Sequence, residues 1–243
     1  MADWKENTRT QTNFGSVPRA GGEVTYDEGL RSYMLKIYNY MASGVLLTGI
    51  VALLSATSGF TMTMLESGLF IVVALAPLAF ILAMSFGLNK MSQGTLQIVF
   101  WAFATVMGLS MSTIFLEFTG ESIATTFFAT AGAFAGLSLW GYTTKKDISG
   151  WGSFLIMGVI GLIIASVLNI FLGSGPLGLV ISGLGVLIFA GLTAYDTQRL
   201  KNDYQYLRGT DMMGKAVIMG ATSLYLDFVN MFMFLLQFLG SRE

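Results

Sequence analysis

The sequence predicts an all-α membrane protein, a seven-transmembrane-helix bundle preceded by an amphipathic interfacial helix. Three observations carry that prediction. The 243 residues are 54% hydrophobic and only 11% charged, with a mean hydropathy of +0.68, whereas a soluble domain carries about 25% charged residues. Seven apolar stretches follow one another, each long enough to cross a hydrocarbon core of about 30 Å at about 1.5 Å per residue. Twelve of the 13 Lys and Arg residues fall on alternate connections, on one side of the resulting map.

Residues 1–24 are polar, mixed in charge and without an apolar core, so they read as a flexible cytoplasmic tail with no signal peptide. The membrane domain occupies residues 25–243. Thr25 and Glu28 have capping-box spacing, and Leu30, Tyr33, Met34, Ile37, Tyr38 and Met41 recur with helical period. Residues 26–40 are therefore expected as an interfacial helix running into the first span. The spans are expected at 41–60, 69–88, 96–116, 123–142, 151–172, 177–195 and 217–239.

Lys5, Arg9, Arg19, Arg31, Lys36, Lys90, Lys145, Lys146, Arg199, Lys201, Arg208 and Lys215 lie on one side, and only Arg242 on the other. The positive-inside rule then places the N-terminus in the cytoplasm and the C-terminus outside. Trp140, Tyr142 and Trp151 fit an aromatic belt at that interface. Gly132 with Gly136, and Gly158 with Gly161, are expected as close-packing surfaces of the fourth and fifth spans. Lys145 and Lys146 read as topology determinants, and Glu66, Glu117 and Glu121 as solvated loop charges on the outer side.

Composition excludes much chemistry. With no cysteine and no histidine, thiol and Ser-His catalysis, His-ligated zinc and histidine proton sensing are absent. A net charge of −1 without a basic stripe argues against nucleic acid as a partner. Attention falls on Asp227, the one carboxylate inside a span, and on Asp196, just past the sixth. A charged Asp at mid-membrane costs about 2.5–3.5 kcal/mol on the insertion scale, so it usually has a partner or a task. On the last helix Ala216, Gly220, Ser223, Asp227, Asn230, Phe234 and Gln237 share a face, a polar stripe expected to point into the protein.

Two carboxylates facing each other at low dielectric cannot both ionise cheaply, so the pair would titrate as a unit and could sense protons without histidine. With Ser223 and Asn230 it could also contact a passing Ca²⁺, which takes six to eight oxygens. Spacing alone leaves a second arrangement open, in which Asp196 ends a helix near Arg199 while Asp227 hydrogen-bonds its neighbours. The depths also differ, with Asp196 about 28 Å along its expected span and Asp227 about 15 Å along its own.

The segments RSYMLKIYNYM, GLSMSTIF, GLSLWGYTTKKDISGWGSFLIMGVIGLIIASVLNIFL, AYDTQRL and SLYLDFVNMFMFLLQFLG occur in order from about residue 26 to the end. Together they resemble the Bax inhibitor-1 (transmembrane Bax inhibitor motif) family, in its bacterial branch. That resemblance implies a central last helix between two three-helix layers, in a bacterial inner membrane. It also implies a pH-sensitive Ca²⁺ leak gated by hydrogen-bonded aspartates on helices 6 and 7, which correspond to Asp196 and Asp227. A basic latch on helix 2, described for some relatives, has no counterpart here before Lys90. The expected partners are the lipid bilayer, protons and Ca²⁺ as the transported ion, bound transiently at Asp196 and Asp227, with no cofactor. A non-transporting interaction protein that modulates a membrane quality-control complex through the tail is the alternative. An intramembrane aspartyl protease fits poorly, because Tyr225 and Leu226 precede Asp227 where a glycine-containing turn is needed. A retinal receptor lacks its lysine inside the last span. No enzymatic activity is expected.

Overall fold

The computed structural model describes residues 20–242, with side chains from Glu28 to Arg242. The chain forms α1 (Ala20–Thr57), α2 (Phe60–Glu66), α3 (Leu69–Gly87), α4 (Gln93–Met111), α5 (Ile114–Glu117), α6 (Gly120–Thr143), α7 (Trp151–Leu172), α8 (Gly175–Leu207) and α9 (Met213–Leu239). Seven of the described segments are long and apolar enough to span a membrane, α4 and α5 together forming the third. Local chemistry sets the boundaries. The side chains of Ser92, Thr119 and Ser174 accept the backbone N–H groups of Thr95, Ser122 and Leu177 and so start α4, α6 and α8. Gly59, Gly68 and Gly173 turn the chain at α2, α3 and the end of α7 with φ of 75°, 73° and 60°, a region open to glycine at little cost.

The centre of the molecule is α9. It packs on α1, α4, α6 and α8, and 67% of its most apolar window is buried, against 11% for α3 and for α7. One flank is α3, α4 and α1, and the other is α6, α8 and α7, so two three-helix layers enclose the last helix. Tyr225, Leu224, Ile218 and Leu236 of α9 are fully enclosed with Phe100, Phe103 and Leu96 of α4 and Ile37 of α1.

The start of the bundle departs from expectation. Thr25 lies inside α1, so the expected capping box does not begin the helix there. The stripe Leu30, Tyr33, Met34, Ile37 and Met41 is buried in protein, with the Tyr33 ring 5.4 Å from that of Tyr204 on α8. What reads as a membrane-facing amphipathic helix is an internal packing face, because α8 continues to Leu207 and offers it a surface. Of the tail expected over residues 1–24, residues 1–19 lie outside the described part and the remainder opens α1.

Of the four glycines expected at close approaches, only Gly158 makes one, where a Cβ would sit 2.9 Å from Ile188 of α8, and the closest crossings fall elsewhere. A Cβ on Gly132, Gly136 or Gly161 would meet nothing within 4 Å. The tight crossings are Gly141 of α6 against the Ala194 carbonyl of α8, and Gly108 of α4, whose Cβ would sit 2.7 Å from the Thr48 carbonyl of α1. Trp140 and Trp151 are exposed and 6.2 Å apart, as a belt requires. At the opposite end the last residues are tied down. Thr119 N donates to Ser241 O at 3.1 Å, Ser241 N donates to Ser122 Oγ at 3.0 Å, and Arg242 pairs with Glu117 at 3.3 Å.

Candidate functional site

The extension of α8 and α9 beyond the expected spans removes the mismatch in depth. Counted from the α8–α9 turn, Asp196 lies about 17 Å up α8 and Ser223 about 15 Å up α9, at 1.5 Å per residue. They meet: Ser223 Oγ donates a short hydrogen bond to Asp196 Oδ2. Arg199, one turn after Asp196, closes the group, with Nη2 3.2 Å from Asp196 Oδ1 and donating to Ser223 Oγ at 3.1 Å. The guanidinium also lies 5.8 Å over the Tyr195 ring.

Asp227 stands one turn beyond Ser223 on the same face, about 6 Å deeper. It is 4% exposed, and its Oδ2 is buried without a hydrogen-bond partner. Asp196, 5% exposed, accepts from Ser223 and pairs with Arg199 rather than bonding to Asp227. In place of the expected direct hydrogen bond between the aspartates, Asp196 bonds to Ser223, one turn before Asp227 on α9. Of the two arrangements open from spacing, the structure shows one part of the second: Asp196 pairs with Arg199, although α8 continues past it to Leu207, and Asp227 Oδ2 has no hydrogen-bond partner among the described residues.

Asp196, Arg199, Ser223, Asp227 and Asn230 line one cleft of about 590 Å³ among α3, α7, α8 and α9. Of the rest of the predicted stripe, Phe234 also lines the cleft, Gly220 packs on Leu200 and Ile37, and Gln237 accepts from Ser182 Oγ at 3.4 Å. Asn230 Nδ2 donates to Leu226 O at 2.8 Å, which leaves the amide oxygen as its free polar atom. Among the described residues no group of three or more acidic, His or Cys side chains could hold a resident metal ion.

The helices that carry the site are locked by ordered hydroxyl chains. Thr48 donates to Ala104 O at 2.8 Å, so its single proton is used and Tyr225 must donate to it at 2.6 Å. By the same logic Thr197 donates to Thr193 O at 2.8 Å, Ser138 donates to Thr197 at 2.8 Å, and Tyr38 donates to Ser138 at 3.0 Å. These chains bind α1 to α4 and α9, and α1 to α6 and α8. Gln198 holds the 144–150 loop, giving Nε2 to Lys146 O at 2.8 Å and taking Ile148 N at 2.9 Å. In that loop the Ser149 N–H donates to Asp147 at 2.9 Å, which holds this carboxyl below its usual range. The nearness of Arg199 to Asp196 was one of the arrangements open from sequence, whereas its bond to Ser223 and the hydroxyl chains were not singled out. The usable signal was the i, i+3 spacing of Asp196 and Arg199 and the run of polar residues Asp196, Thr197 and Gln198 in one helix.

Known proteins provide the context. The family model described as "Inhibitor of apoptosis-promoting Bax1" matches residues 30–243. An uncharacterized protein of Rickettsia prowazekii is 46% identical over 221 residues, covering 90% of this chain and 93% of its own. A second, from Caulobacter vibrioides, is 46% identical over 242 residues, covering 94% and 96%. The inner membrane protein YbhL of Escherichia coli is 42% identical over 230 residues, covering 93% and 98%. With the family model spanning all seven helices and such relatives matching nearly end to end, the chain belongs to the Bax inhibitor-1 family of integral membrane proteins.

Proposed function

We propose that the protein is a pH-sensitive leak for Ca²⁺ and similar cations across a bacterial inner membrane, with Asp196 and Asp227 as sensor and gate. The observation that carries this reading is the unpartnered Oδ2 of Asp227 beside the Asp196–Ser223–Arg199 cluster in one cleft. A buried carboxylate that no side chain satisfies is costly to hold and is a natural contact for a passing cation. Asn230 and Ser223 add neutral oxygens beside it. Two carboxylates fall short of the six to eight oxygens that retain Ca²⁺, so contact is brief and water completes the shell.

Protonation supplies the switch. A proton on Asp196 cancels the charge that holds Arg199 and removes an acceptor of Ser223, so the link between α8 and α9 loosens. Arg199 thus serves from α8 itself as the basic latch for which the second span, α3, has no residue. The resident topology follows the basic residues, with the N-terminus cytoplasmic and the C-terminus outside. YbhL, named as an inner membrane protein, supports that location. The protein is a conduit rather than an enzyme in this reading, and the tail remains the segment for any membrane-protein partner.

Ca²⁺ entry into liposomes, followed with a trapped dye, tests the proposal. Acidification raises flux in the parent, Asp196→Asn gives high flux that no longer responds to pH, and Asp227→Asn abolishes the response. An Asp227→Asn protein with the parent's flux and pH response rules the reading out.

A further inference from the structure

The cleft that holds Asp227 is oily and faces sideways. Leu162, Ile163, Phe189, Leu192 and Phe234 form much of its wall, and its volume of about 590 Å³ falls within the roughly 300–1,000 Å³ of small-molecule sites. Ile156, Ile163, Val167 and Ile170 of α7 line it and are also exposed on the bundle's flank. The packing partner of α3 on this side is α4 and that of α7 is α8, so the space between α3 and α7 opens toward hydrocarbon. At its inner end the charges do not balance. Two carboxylates and one guanidinium line the cleft, Arg199 is paired with Asp196, and Asp227 Oδ2 has no partner.

We propose that this cleft binds a lipophilic organic monocation, which enters from the membrane between α3 and α7 and pairs its ammonium group with Asp227. One uncompensated carboxylate calls for one positive charge, and an ion pair shielded from water is favourable only if the partner can donate a hydrogen bond as well. A small inorganic cation keeps most of its water as it passes and gains a single carboxylate here, so it is not retained. An ammonium with an apolar body covers the wall with its own surface and sets its charge at the carboxylate, so one ligand satisfies both parts of the cleft. An amine that arrives uncharged accepts the carboxyl proton of Asp227, and one that arrives protonated meets the carboxylate; both routes end in the same pair. The site differs in ligand class from the leak and is read by occupancy alone.

The test is equilibrium dialysis of dibucaine, a fluorescent tertiary amine, against the full chain in nanodiscs, with empty nanodiscs as the reference for lipid uptake. Saturable uptake above the lipid reference is expected, and Asp227→Asn weakens it by about tenfold or more. The same quinoline amide without its diethylamino group shows a comparable loss, because the body remains but the charge is gone. Ile163→Trp, which narrows the opening and leaves Asp227 in place, also reduces uptake and decides the matter if Asp227→Asn folds poorly. Uptake equal to that of empty nanodiscs, equal binding of the uncharged amide, or a folded Asp227→Asn that binds like the parent overturns the proposal. Calcium flux measured on the same samples separates the two ideas, since loss of amine binding with normal pH-gated flux rejects only this site.

Discussion

Single atoms decide the chemistry here, and the most telling is Asp227 Oδ2. Its isolation contrasts with Tyr225 two residues earlier, whose hydroxyl is satisfied by Thr48 at 2.6 Å. Tyr225→Phe removes a donor from an acceptor that keeps its own bond to Ala104 O, so the loss is about 1 kcal/mol, measured as a lower unfolding midpoint in detergent. Arg199→Gln acts differently. Its side chain is 43% exposed, which limits the stability cost to roughly 1 kcal/mol, but it frees Asp196 from its only cation partner in the cluster. The expected result is high flux at alkaline pH, as for Asp196→Asn, whereas a parental pH profile would show that the guanidinium is no latch. The two aspartates could be identified in the sequence because an acid in an apolar run stands out. The Asp196–Arg199 pairing was only one of two open arrangements, since a basic residue near a helix end also reads as a topology signal until the helix is known to continue past it.

At the scale of helices, length was the feature hardest to read. Hydropathy places the end of α8 near residue 195, yet the helix continues to Leu207 because Leu200 and Tyr204 stay buried against α1 and α9 beyond the apolar window. That overrun brings Asp196 level with Ser223 and turns the first part of α1 from an interfacial helix into a packed one. Small residues were misplaced for a related reason. The spacing of Gly132 and Gly136 is a packing motif only where a helix lies opposite, and none approaches there. Gly141 is the position that matters, since it lets α6 meet the α8 backbone at Ala194. Gly141→Leu should destabilise by about 1–3 kcal/mol through overpacking, while Gly136→Leu should leave the unfolding midpoint nearly unchanged; equal effects would contradict the crossing described.

For the molecule as a whole, the seven spans and the asymmetry of basic residues were legible because bilayer thickness and loop charge act on composition rather than on detailed packing. The absence of cysteine makes the orientation simple to check. Lys146→Cys should react with an impermeant maleimide only from the cytoplasmic side and Glu121→Cys only from the outside, and the reverse pattern would invert the map. The enclosure of α9 has a consequence for biosynthesis. The ribosome delivers the middle of this protein after its surroundings, so six spans must wait in the membrane around a vacancy that only residues 213–239 can fill. During that interval the Thr48 hydroxyl keeps Ala104 O but lacks the Tyr225 donor, and Asp196 keeps Arg199 but lacks Ser223, so both polar groups stay half satisfied until translation catches up.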